Sequence, residues 1–137
     1  KNKSAKENWE SFSDLFSNYS KDQVLGIFIS PVSGGNPKDP DFLKMLREFS
    51  TNSGIPLIFD ESETIFSSQN SKGIFYSGGE IRPDAMMYYM GMQAGFLAVD
   101  KSLFIEKPLM MISTWDGDEL GLSYFTEKLL AHEAGLS

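Results

Sequence analysis

The sequence predicts an α/β domain: a mostly parallel sheet with one antiparallel strand, and helices packed on it. Three observations lead there. VLGIFIS (24–30) and IPLIFD (55–60) are short continuous apolar runs separated by a stretch with helical periodicity, the pattern of buried parallel strands joined through a helix. AMMYYM (85–90) and GFLAVD (95–100) are two more such runs. The connection between them is too short for a parallel crossover, which predicts an antiparallel pair. Helical patterns at both ends complete an α/β alternation.

The elements follow in chain order. Trp9, Phe12, Phe16 and Tyr19 fall on one face of a helix, which Ser20-Lys21-Asp22 breaks. The strand at 24–30 ends at Pro31, and SGGNPKDP (33–40) reads as a loop. Asp41 is placed to cap the next helix, whose inward face carries Phe42, Met45, Leu46 and Phe49. TNSG (51–54) stops it. The strand at 55–60 runs into an acidic cluster, Asp60, Glu61 and Glu63. Residues 66–84 are mixed and polar and read as a loop with a short turn of helix. LMMIS (109–113) reads as a further short strand. The last helix presents Leu122, Phe125 and Leu129, with Gly135 near its end.

A length of 137 residues suffices for one domain with a sizeable core, so 1–137 is read as a single domain. Twelve basic residues against 19 acidic leave a net charge of −7, which argues against nucleic acid and anionic membrane surfaces as partners. There is no cysteine, hence no disulfide framework or thiolate metal site. A single histidine, His132, leaves little for a metal site or a histidine-based triad. No apolar run reaches the length of a membrane span and no signal peptide is visible, so a cytoplasmic chain is the expectation.

Few residues stand where chemistry needs them. Asp60 closes a buried parallel strand, the position at which α/β sheets place ligand-binding groups. No G-x-x-x-x-G-K-[ST] loop accompanies it, which argues against a nucleotide hydrolase. The glycine pair of SPVSGGN (30–36) is of a kind that cradles anions, but no helix start with phosphate-loop spacing follows, so the segment reads as a loop. His132 reads as a helix-terminus residue, and the methionines of 86–92 as core filling.

Taken in order, LGIFISPVSGGN (25–36), FLKMLREFSTNSGIPLIFDESET (42–64), IRPDAMMYYMGMQAGF (81–96) and ISTWDGDELGLSYFTEKLL (112–130) resemble the large domain of class III aminotransferases, fold type I enzymes that use pyridoxal phosphate. The stretch Ser113-Thr114-Trp115-x-Gly117-Asp118 looks most like the lysine 6-aminotransferase and 4-aminobutyrate aminotransferase branch. The resemblance covers nearly the whole chain, and only the middle and later part of such an enzyme's cofactor domain. It implies that Asp60 matches the aspartate that pairs with the pyridinium nitrogen of the cofactor. It also implies that Thr114 matches a threonine that reaches the phosphate of the partner subunit's cofactor in such dimers.

Other positions depart from the family pattern. Ser62 stands where an aliphatic residue packs on the cofactor ring, and Glu63 where a glutamine meets the phenolic oxygen. A carboxylate there would face like charge. Ser30 replaces a glutamate that takes part in substrate handling. Counting six residues from Asp84 places Met90 at the Schiff-base lysine position, and a thioether forms no imine. Lys72, Lys101 and Lys107 are present but none occupies that turn. The family's phosphate-binding segment and its arginine-bearing small domain have no counterpart in these 137 residues.

The resemblance and its departures together predict an aminotransferase-like, catalytically inactive domain with a structural or interaction role, holding no covalent pyridoxal phosphate. The alternatives are a class III aminotransferase active only within a longer chain or complex, and a small-ligand module built on Asp60 and Thr114. Open sheet edges tend to pair, which predicts a homodimer or a companion chain completing the sheet.

Overall fold

The first two predicted strands lie side by side. β1 (Ile27–Ile29) and β4 (Leu57–Asp60) pair in parallel, with Ile27 opposite Leu57 and Ile29 opposite Phe59. β5 (Ala85–Tyr89) runs parallel to β4, and β6 (Gly95–Val99) returns antiparallel to β5, giving the order β1-β4-β5-β6. This is the predicted partial α/β sheet with its one antiparallel strand. The computed structural model describes residues 3–64, 81–89, 95–106 and 119–135. The predicted strand at 109–113, most of the loop at 66–84, Met90 and Thr114 lie outside the described residues.

α1 (Ala5–Phe16) begins with a capping box in which Ser4 and Glu7 satisfy each other's backbone N–H groups. It ends three residues before Tyr19, which is exposed. Trp9, Phe12 and Phe16 instead converge on Phe49 of α2 (Pro40–Ser53), with ring centroids 6.0, 5.2 and 4.8 Å away.

Three boundaries differ from expectation. β1 is shorter than 24–30 because Ile27 N–H already pairs with Pro56 O at 2.8 Å. Before Pro56 the neighbouring chain is still turning out of α2, so residues 24–26 have no strand to pair with, and Leu25 is 94% exposed. The predicted loop at 33–40 contains a small hairpin, β2 (Val32–Ser33) against β3 (Asn36–Pro37), turning through Gly34 and Gly35. The cap of α2 is Asp39 rather than Asp41: its Oδ1 accepts from Asp41 N–H at 2.9 Å, and Pro40 takes the first helical position, where its missing N–H costs nothing. Asp39 Oδ2 also accepts from Ala5 N–H at 3.1 Å, so one carboxylate serves the starts of both helices.

Residues in register across a sheet point to the same side. Ile27 and Ile29, with their partners Leu57 and Phe59, face α2, where Phe42, Leu43 and Leu46 meet them. Leu43, Leu46, Leu57 and Phe59 are at most 1% exposed, and each such burial stabilises the fold by about 1.5–3 kcal/mol. Gly54, in the left-handed region at φ 68°, ends α2 as predicted, its N–H donating to Ser50 O.

α3 (Glu119–Glu133) does not bury the predicted stripe as a unit. Phe125 packs against Phe96 at 4.2 Å between centroids, the rings tilted, and Phe96 stacks on Tyr88 at 5.2 Å, whereas Leu122 is exposed. Leu120, Leu122 and Leu130 all stay exposed. Burial pushes the Tyr88 phenol up from its usual value.

Candidate functional site at the carboxyl ends of β1 and β4

Parallel strands deliver their carboxyl ends to one rim of the sheet, where crossover loops leave room for a ligand. Ser30 follows β1 directly and Asp60 is the last residue of β4. Side by side in the sheet, they bring a hydroxyl to a carboxylate: Ser30 Oγ donates to Asp60 Oδ2 at 3.5 Å. Both are half-buried.

The other carboxylate oxygen is committed to the turn that follows. Asp60 Oδ1 accepts from Ser62 N–H at 3.0 Å and from Ser62 Oγ at 2.6 Å, the arrangement in which an aspartate side chain nucleates its own turn. Ser62 Oγ in turn accepts from Tyr89 N–H at 2.9 Å. Since Glu61 N–H also donates to Met87 O at 2.8 Å, the serine hydroxyl lengthens the β4–β5 ladder by one rung. Ser62 therefore connects Asp60 to the residue just before position 90.

The predicted acidic cluster is not one site. Its three carboxylates diverge. Glu61 is fully buried and accepts from Thr64 Oγ1, with Thr64 N–H closing the turn on Glu61 O at 2.9 Å. Glu63 points outward and reaches the β2–β3 hairpin, where Oε1 accepts from Gly34 N–H at 3.0 Å and Oε2 from Gly35 N–H at 3.1 Å. The glycine pair is thus an anion cradle after all, filled from within the chain. Among the described residues no group of three or more His, Asp or Glu side chains is arranged to hold a metal ion.

Strand-end position singles out Asp60, and the resemblance adds Ser30, Ser62 and Glu63 to its site; the structure bonds Ser30 and Ser62 to Asp60 and turns Glu63 to the hairpin. Sequence reasoning missed that Glu63 bonds Gly34 and Gly35, and that Glu61 is interior. The glycine pair was the available signal, but nothing in the sequence says which acid reaches it. Of the three lysines away from the turn, Lys101 lies in an exposed 3-10 turn after β6; Lys72 and Lys107 are outside the described residues. His132 sits in the last turn of α3, as predicted.

No family model matches the chain. Over 50 residues it is 48% identical to glutamate-1-semialdehyde 2,1-aminomutase of Pelodictyon phaeoclathratiforme, a match spanning 34% of this chain and 12% of that protein. A transaminase of the marine bacterium Virgibacillus superimposes with a TM-score of 0.77 at 17% identity, over 96% of this chain and 33% of that one. An amine transaminase of an uncultivated Pseudomonas species, in its PLP-bound internal aldimine form, gives a TM-score of 0.74 at 20% identity over 92% of this chain and 32% of that one. The fold is that of a transaminase fold type I domain, in part. The chain spans about a third of the length of these solved transaminases. Among the described residues no helix is long and apolar enough to cross a membrane.

Proposed function

We propose that this chain is an aminotransferase-like domain, class III in type, that does no catalysis by itself and serves as a structural or interaction module. One observation carries the reading: the rim residues bond one another. Ser62 is spent on Asp60 and Tyr89, and Glu63 on Gly34 and Gly35. Asp60 Oδ2, whose one hydrogen bond among the described residues is long, suits the protonated ring nitrogen of pyridoxal phosphate. The rest of the donor set does not suit that cofactor. Ser62 offers no apolar face to a ring, Glu63 is an acid turned away, and position 90 is a methionine, which holds no imine. No reaction step is therefore assigned. When bound in an enzyme, that cofactor serves as an electron sink. The branch proposed from Ser113 to Asp118 remains that of lysine 6- and 4-aminobutyrate aminotransferases.

The direct test is to mix the chain with pyridoxal phosphate, reduce with borohydride and weigh it. No cofactor-sized adduct is expected. A stoichiometric adduct on one lysine overturns the proposal.

A second reading, a transaminase active within a longer chain or complex, is favoured by the placement of Asp60 on a matching fold that spans only a third of solved transaminases. Turnover of lysine, ornithine or 4-aminobutyrate by the longest native chain would establish it. Absence of both turnover and cofactor absorbance would remove it.

The partner proposed is a second copy or a companion chain that completes the sheet. Among the described residues β1 pairs only with β4 and β6 only with β5. Phe28 and Leu97 on these edge strands are 55% and 58% exposed, a composition that pairs readily. A monodisperse monomer in solution scattering would contradict this.

A further inference from the structure

We infer that the Gly34–Gly35 hairpin tip is a carboxylate-binding site whose resident ligand is the chain's own Glu63, and that a small exogenous carboxylate takes the same two N–H groups once Glu63 is withdrawn. The inference does not rest on the proposed function; it holds with or without a cofactor at Asp60.

The receptor is made of backbone. Gly34 and Gly35 have φ of 58° and 72°, a left-handed succession that side-chain-bearing residues rarely adopt. It turns two consecutive N–H groups to the same side, the arrangement that forms anion-binding concavities. The spacing suits a planar carboxylate. Each oxygen of Glu63 takes one N–H, at 3.0 and 3.1 Å, so neither donor is shared. Asn36 Nδ2 donates to Gly34 O at 2.9 Å and steadies the tip peptide. These are charge-assisted bonds to an ionised acceptor, the stronger kind.

The site is also reachable. Gly34 and Gly35 are both exposed. Glu63 is itself exposed and comes from a turn 28 or 29 residues away in sequence, so its carboxylate is a tethered ligand held at high effective concentration. A free carboxylate competes poorly with it while the tether holds. The hairpin follows β1 and the turn follows β4, which places the cradle on the same rim as Ser30 and Asp60. Its ligand class is the small monocarboxylate, which presents two coplanar oxygens to two donors.

The test is a titration of the ¹⁵N-labelled chain with sodium acetate at constant ionic strength, read at the Gly34 and Gly35 amides, in wild type and Glu63→Ala. Saturable shifts confined to those two amides in Glu63→Ala, at least about tenfold stronger than in wild type, are expected. Equal responses in the two proteins, or none in Glu63→Ala, overturn the inference. Should Glu63→Ala fail to fold, Glu63→Gln keeps a weaker neutral acceptor in place. Acetate must then shift both amides more than in wild type, and a folded Glu63→Gln with silent amides overturns the inference equally. Sodium chloride in place of acetate separates a carboxylate site from a general response to anions: equal shifts with chloride overturn the carboxylate assignment.

Discussion

Arg47 on α2 donates through Nη1 to Asp84 Oδ2 at 2.9 Å, and the same oxygen accepts the Leu57 N–H at 2.8 Å. Asp84 N–H returns a bond to Leu57 O at 2.8 Å, so this aspartate is clipped to both sides of one β4 residue. Arg47 also donates to Arg82 O and to Ser50 Oγ, and Ser50 Oγ donates to Ile55 O inside the core. Helix α2, the start of β4 and the approach to β5 are held at one node. Asp84→Ala leaves the Leu57 N–H and the guanidinium without their acceptor, and a loss of about 2–3 kcal/mol is expected in urea denaturation. Asp84→Asn, which keeps one acceptor oxygen, should lose less. Equal stability of wild type and Asp84→Ala would show the node to be dispensable.

Ser62 is the analogous tie at the other end of the strands. Ser62→Ala removes the acceptor of Tyr89 N–H and one of two donors to Asp60 Oδ1. The expected cost is about 1–2 kcal/mol, with faster hydrogen exchange at the Tyr89 amide than at Met87. Ser62→Thr, which keeps the hydroxyl, should restore protection at Tyr89. Unchanged exchange in Ser62→Ala would mean that the sheet ladder ends at Met87.

Gly54→Ala forces a Cβ into the left-handed region at φ 68°. There is room, the nearest atom being Lys21 Nζ at 3.9 Å, so the expected loss of about 1 kcal/mol is backbone strain alone. Thermal melting checks it: a rise in Tm would refute the assignment of strain.

Stability should fall at both pH extremes for separable reasons. Hydrogen bonds from the Ser4 backbone and hydroxyl hold Glu7 below its usual 4.5. Its contribution is present above that unfolded value and is lost as pH falls through the lower folded one. Tyr88 is raised by burial from 10.0, so its contribution is present below 10.0 and is lost as pH rises through the folded value. Melts in acid should show a smaller drop for Glu7→Gln than for wild type, and melts above pH 10 a smaller drop for Tyr88→Phe. Parallel curves in either comparison would remove that group from the account.

The four strands of the main sheet and their directions were legible in the sequence, whereas the β2–β3 hairpin was not. Short apolar runs bounded by turn residues are too short for core helices, and the short step from 89 to 95 forbids a crossover. Of the rim residues, strand-end position reached Asp60 alone; Ser30 and Ser62 came only through the resemblance to aminotransferases. Tertiary structure decided what depends on distance through space rather than along the chain. The cap of α2 passed to Asp39 because Pro40 could open the helix and Ala5 needed the same carboxylate. The acids after β4 parted company because Glu61 turns into the core while Glu63 meets two glycine N–H groups about thirty residues earlier in the chain. Local spacing shows that three carboxylates are near one another. Only the packed chain says which donors each one meets, because backbone N–H groups leave no trace in residue identity.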